Sequence, residues 1–114
     1  MATDEKRIDQ RVESSNLLSY ICLDENNHEM MQGMGRTLNV SEGGILLETH
    51  VLIDPKVTIE LAIGLEDELI NIKGSIIFTK PGKDDKYQAG IEFLETDTTT
   101  TEILKRYIKV FSEQ

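Results

Sequence analysis

The chain has 114 residues, a formal net charge of -9 and 39% hydrophobic residues, which bounds it to one soluble domain with a single modest core. The acidic balance argues against binding a long nucleic acid, because a polyanion needs a broad basic surface. No run of about 18 apolar residues is present to span a bilayer.

The first residues, MATDEKRIDQR, are highly charged and lack both apolar periodicity and a signal-peptide core. Residues 1–13 read as a flexible arm, and the expected compartment is the cytoplasm. Leu17 to Leu23 is short and aromatic-bearing and reads as a strand, with Leu17, Ile21 and Leu23 on one face. Within it, Cys22 reads as a buried thiol. It is the sole cysteine, so no intramolecular disulfide can form, which fits a reducing compartment. A turn follows at Asp24 to His28, with Asn27 suited to positive φ. A second strand should run from about Glu29 to Val40. Its Met30, Met31 and Met34 suggest strand packing first and a flexible partner surface second.

Ser41-Glu42-Gly43-Gly44 breaks the chain, and Ile45 to Glu48 forms a short third strand. Pro55 ends the next loop. Val57, Ile59, Leu61 and Ile63 alternate with Thr58 and Glu60, the clearest period of two in the sequence. After the acidic turn Gly64 to Glu68, a long strand spans Leu69 to Thr79, with Ile70, Ile72, Ile76 and Phe78 on one face. Pro81-Gly82 opens a hairpin loop into a sixth strand, Tyr87 to Phe93. There Tyr87, Ala89, Ile91 and Phe93 point inward. The period then changes. Thr99 and Glu102 fit a capping box, and Ile103, Tyr107 and Phe111 recur at helical spacing with Leu104 and Ile108 beside them. The expected fold is mainly β: a closed or nearly closed six-stranded antiparallel β-barrel over residues 14–114, with a C-terminal α-helix over about 98–112 packed on its outer surface or open end.

Two short motifs carry the chemistry. Arg7-Ile8-Asp9-Gln10-Arg11 places two of the four arginines at RxxxR spacing in the arm, after Lys6. Asn39-Val40-Ser41-Glu42-Gly43-Gly44 places NxSxxG at the turn between the second and third strands. Taken singly, each has a plain structural reading. The arginine pair could be a solvated arm, and NxSxxG a tight turn in which Asn and Ser cap backbone groups and glycine supplies positive φ.

In combination and in this order, they resemble the PilZ domain family. The resemblance extends over nearly the whole chain, with Gly35 to Ile45 similar to that family's second strand and turn and Ala89-Gly90-Ile91-Glu92-Phe93 similar to its last strand. It implies a split-barrel receptor for cyclic di-GMP, with no enzymatic activity and no cofactor. Carried onto these positions, Arg7 and Arg11 would grip phosphates and guanines, and Asn39 and Ser41 would hydrogen-bond a guanine. Gly43 and Gly44 close the motif, and Lys6 sits where the family sets ligand stoichiometry. The chemistry agrees: the planar guanidinium fork binds phosphate, stacks on bases and matches the O6/N7 edge of guanine. Arg36, three residues before Asn39, is equally well a ligand contact or an exposed strand residue.

His28 and His50 lie in a turn and a loop with no other ligand at metal spacing, so no metal site is expected. Two further readings compete with a receptor that signals to an unidentified protein partner in motility, biofilm or exopolysaccharide control. One is a ligand-independent adaptor acting by protein–protein contact. The other is an OB-like single-strand binder, disfavoured by 5% aromatics and the charge.

Overall fold

The computed structural model describes residues 11–55 and 57–112. It contains β1 (Val12–Glu13), β2 (Leu17–Leu23), β3 (Glu29–Val40), β4 (Gly44–Thr49), β5 (Thr58–Leu65), β6 (Glu68–Pro81), β7 (Tyr87–Glu95) and α1 (Thr98–Ser112). The strands form one antiparallel sheet in the order β1-β3-β2-β5-β6-β7-β4, and a β3–β4 pairing closes β2 to β7 into a six-stranded barrel. The short β1 is an addition beside β3, pairing Val12 with Val40 and Glu13 with Asn39. Residues 12 and 13, read from sequence as part of the arm, are thus built into the sheet. Lys6 and Arg7 lie outside the described residues.

The core follows the alternation of β5, whose Ile59, Leu61 and Ile63 are buried together with Val57 just before it. β2 is the reverse of the sequence reading for most of its length. Leu18, Tyr20 and Cys22 are buried, Leu17 is 74% exposed and Ile21 is half-buried; Leu23 is buried only past a register shift. The reason is that Tyr20 to Leu23 are all apolar, so hydropathy does not fix the parity. The ladder to β5, which pairs Leu18 with Ile63 and Tyr20 with Leu61, does. Burial also pushes the Cys22 thiol up, keeping it protonated and unreactive. Met30 and Met34 are exposed rather than packed inside, while Met31 packs against the core.

The β2–β3 turn is built by Asp24, whose Oδ1 accepts the Asn26 and His28 N–H groups at 2.8 Å each. These bonds, led by that of His28, hold its carboxyl below the usual range. Asn27 adopts φ 66° as expected.

Two β-bulges shape one side of the barrel. Thr37 pairs with Leu47 but Asn39 with Leu46, leaving Leu38 extra. Ile76 pairs with Ile91 but Phe78 with Gly90, leaving Ile77 extra. An extra residue reverses the inside–outside alternation beyond it. Thr37 and Val40 can therefore both be buried with Asn39 turned outward, and Phe78, expected inside with Ile76, is 43% exposed.

α1 starts two residues earlier than the expected capping box places it. Asp97, not Thr99, is the N-cap: its Oδ1 accepts the Thr100 N–H at 2.7 Å, and that bond lowers its pKa from the usual aspartate value. Leu104, Tyr107 and Ile108 are buried in the barrel's own cluster, flanked by the partly buried Ile103 and Phe111. The Tyr107 hydroxyl bonds Ser14 Oγ and accepts Asn16 Nδ2–H at 2.8 Å; Ser14 C=O in turn accepts the Thr37 hydroxyl at 2.8 Å. The segment following Arg11 is thereby tied to both β3 and α1. No helix among the described residues is long and apolar enough to cross a membrane.

Candidate ligand-binding site

One residue of each motif, Arg11 and Asn39, meets the other on the outer face of β3, β4, β7 and β6. Arg11 Nη1 donates to Asn39 Oδ1 at 2.6 Å across 28 residues of sequence. The bond uses one of the five guanidinium donors and engages the Asn39 amide through its oxygen. Cross-strand pairing lays two rows of outward residues side by side. One reads Asn39–Leu46–Gly90–Phe78 and the next Arg36–Glu48–Gln88–Lys80. Arg11, Asn39, Leu46, Phe78 and Gly90, with Ile45 beneath, enclose a pocket of about 180 Å³. The two bulges flank the first row, one on each side, and both aim its end residues outward.

The PilZ domain family profile matches residues 5–109. The chain belongs to the PilZ domain family. No curated protein matches it significantly in sequence. Similar folds among solved structures include the Bacillus subtilis inhibitor of motility MotI/DgrA, with TM-score 0.73, 15% identity and 90% of this chain covered. The match takes in 49% of that protein, so this PilZ chain spans about half its length. The PilZ domain of Escherichia coli YcgR, solved with c-di-GMP, aligns with TM-score 0.65 and 12% identity over 92% of this chain and 90% of its own. The PilZ domain of CeSA from a cellulose-synthesizing bacterium aligns with TM-score 0.63 and 11% identity, covering 90% and 98% respectively.

Within the PilZ turn, the other motif residues have different tasks from Asn39. Ser41 is fully buried. Its hydroxyl accepts the Gly44 N–H at 3.0 Å and donates to the Gly44 carbonyl at 3.1 Å, while its own N–H donates to that carbonyl at 2.8 Å. Ser41 thus closes the turn and does not face the pocket. Gly43 offers its carbonyl to the Phe93 N–H at 2.8 Å, tying the turn to β7. Gly44 is required by close approach rather than by positive φ, since no glycine among the described residues has positive φ. A Cβ at Gly44 would stand 2.1 Å from the Ile91 carbonyl oxygen.

Arg36 lies in the row beside the pocket and is neither free nor simply solvated. Its Nε donates to Glu48 Oε1 at 2.7 Å, and Lys86 Nζ stands 3.8 Å from the same oxygen. The Arg36 hydrogen bond is the main cause holding the Glu48 carboxyl below the usual glutamate range, with lesser help from Lys86 and His50. No group of acids, histidines and cysteines among the described residues could hold a metal ion.

Leu46, Phe78 and Gly90 were not singled out as site residues by sequence. The available signal was the glycine inside an apolar strand, which marks a close approach. The ring atom Phe78 Cε2 lies 2.3 Å from where a Cβ at Gly90 would be.

Proposed function

We propose that this PilZ protein is a cyclic di-GMP receptor. The ligand rests on the outer face of β3, β4, β7 and β6, and the N-terminal arginines close over it. The observation that carries the reading is the Arg11–Asn39 bond, since it joins the last residue of RxxxR to the first of NxSxxG across 28 residues of sequence. Family membership supports it, as does the similarity of fold to the YcgR PilZ domain solved with c-di-GMP.

Arg11 and Arg7 supply charge-assisted donors to phosphate and guanine, and Asn39 supplies neutral donors to a base edge. Ser41, Gly43 and Gly44 hold the turn that presents Asn39. Lys6 adjoins the arginine pair and influences how many ligands are held. Arg36, engaged by Glu48, supports the rim rather than the base. Ligand capture by the arm shifts its position against the barrel, and a protein partner in motility, biofilm or exopolysaccharide control reads that shift. The shift requires the ligand to favour one arm position over another. The protein acts as a cytoplasmic binding module, not an enzyme.

The test is calorimetric titration with cyclic di-GMP, using cyclic di-AMP and GTP as controls, on wild type, Arg11→Ala and Asn39→Ala. Selective binding that weakens roughly tenfold or more in each variant is expected, the scale of a lost hydrogen bond involving a charged group. Absence of binding by the wild type would overturn the receptor reading and favour a ligand-independent adaptor.

A further inference from the structure

The pocket beside Arg11 has an aromatic wall that neither motif supplies. Phe78 is one of two consecutive residues turned outward by the bulge at Ile77, and it pairs with Gly90. Its ring lies across the bare Gly90 backbone, where any side chain would collide with Cε2, Cδ2 and Cζ. Phe78 nevertheless stays 43% exposed, and Lys80 Nζ stands 5.7 Å from its ring centroid, within cation–π range.

Across the same pocket stands the Arg11 guanidinium, fixed by Asn39. Phe78 and Leu46 give the pocket apolar walls around the bare Gly90, and among its lining residues the polar side chains are those of Arg11 and Asn39, with the Lys80 ammonium outside the lining near the Phe78 ring. The volume of about 180 Å³ lies below the ~300–1,000 Å³ of a pocket that holds a whole drug-sized molecule. It suits one flat group with an apolar face and a hydrogen-bonding edge, which is the description of a purine base. A phosphate would gain nothing from a phenyl ring.

We infer that Phe78, seated on Gly90, is the stacking platform for one base of the ligand, with its polar edge toward Arg11 and Asn39. This rests on the receptor reading above and adds a specificity-determining residue to it. The bulge at Ile77 is what makes the platform: without the extra residue, Phe78 would point into the core and the floor at Gly90 would be uncovered.

The experiment is titration of the full chain with cyclic di-GMP for wild type, Phe78→Ala, Phe78→Leu and Phe78→Tyr, with ligand H8 proton shifts recorded in parallel. Loss of base–aromatic stacking should weaken binding roughly 5- to 150-fold in Phe78→Ala and Phe78→Leu. Phe78→Tyr keeps the ring and should stay within about threefold of wild type. An upfield ring-current shift of one H8 should be present with Phe and Tyr and absent with Leu. Phe78→Leu still covers Gly90, so the Leu/Tyr pair decides the matter even where Phe78→Ala loosens the barrel. Wild-type binding with Phe78→Leu unchanged within about twofold, and no ring-current shift, would overturn this inference alone. Failure of the wild type to bind would overturn the receptor reading and this inference with it.

Discussion

In the NxSxxG motif Asn39 lines the pocket beside Arg11 while Ser41 closes the turn, and paired substitutions separate the ligand contact proposed for the first from the structural task of the second. Ser41→Ala removes the acceptor of the buried Gly44 N–H and one donor to the Gly44 carbonyl. A buried amide left without its partner costs about 1–3 kcal/mol. At about 4 °C per kcal/mol for a domain of this size, the unfolding midpoint should fall by roughly 4–12 °C. Asn39 is half-buried on the outer face, and its side-chain oxygen faces Arg11 rather than the core. Asn39→Ala should therefore leave the midpoint within about 2 °C, while cyclic di-GMP affinity drops roughly tenfold or more, the scale of hydrogen bonds to charged groups. The assay is thermal unfolding by circular dichroism alongside calorimetry on the same preparations, with Ser41→Ala expected to lose less affinity than Asn39→Ala. An unchanged midpoint for Ser41→Ala, with an affinity loss equal to that of Asn39→Ala, would refute the division and make the serine a ligand contact.

Gly44→Ala drives a Cβ against the Ile91 carbonyl and should cost about 1–3 kcal/mol as β4 and β7 separate; an unchanged urea midpoint would contradict this. Tyr107→Phe removes the hydroxyl shared by Ser14 and Asn16. It should cost about 0.5–1.5 kcal/mol and speed amide exchange around residues 14–16 and Thr37, and faster exchange spread evenly over the barrel would count against a local clamp. The Glu48 and Asp97 carboxyls are both held below their ordinary values of 4.5 and 3.8, by the Arg36 hydrogen bond and by the Thr100 N–H respectively. A depressed folded-state value means that this stabilisation is present above the ordinary values and is lost as pH falls through the folded ones. Urea midpoints should accordingly decline on acidification below about pH 4.5 and decline less in Glu48→Gln; a midpoint flat from pH 5 to 3 would refute the assignment.

The barrel was legible where one face alternates cleanly, as in β5, and where turn residues separate short apolar runs. The helix was legible from the recurrence of Ile103, Tyr107 and Phe111. Its cap was not, because Thr96 to Thr101 offers a run of competing caps and only the Asp97 carboxylate's bond to the Thr100 N–H selects among them. The faces of β2 and β6 were misread for related reasons. In Tyr20 to Leu23 both parities are apolar, and in Ile76-Ile77-Phe78 a period of two runs through a bulge it has no means to register. Bulges are set by pairing between strands distant in sequence, which is why they are hidden from local pattern. The same hidden feature carries the pocket. Asn39 was legible because its motif is local, whereas Phe78 becomes a site residue only after the bulge turns it out.

The charge of the chain and the charge of the site point in opposite directions, and the rows on the barrel explain how both hold. Among the groups around Glu48, Arg36 and Lys86 supply two positive charges against one carboxylate, so that cluster is net positive by one. Lys80 closes the same row, and Arg11 stands over the neighbouring row, which carries no formal charge of its own. Elsewhere carboxylates gather in turns, as at Glu66, Asp67 and Glu68 beside α1, where Arg106 reaches Glu68 at 3.4 Å. Fields from exposed acids fade over about 8–10 Å in cell-like salt, so the site is governed by its own rows rather than by the net charge of -9. A small anion with a flat base meets a local cation, a hydrogen-bonding edge and an aromatic wall within one pocket.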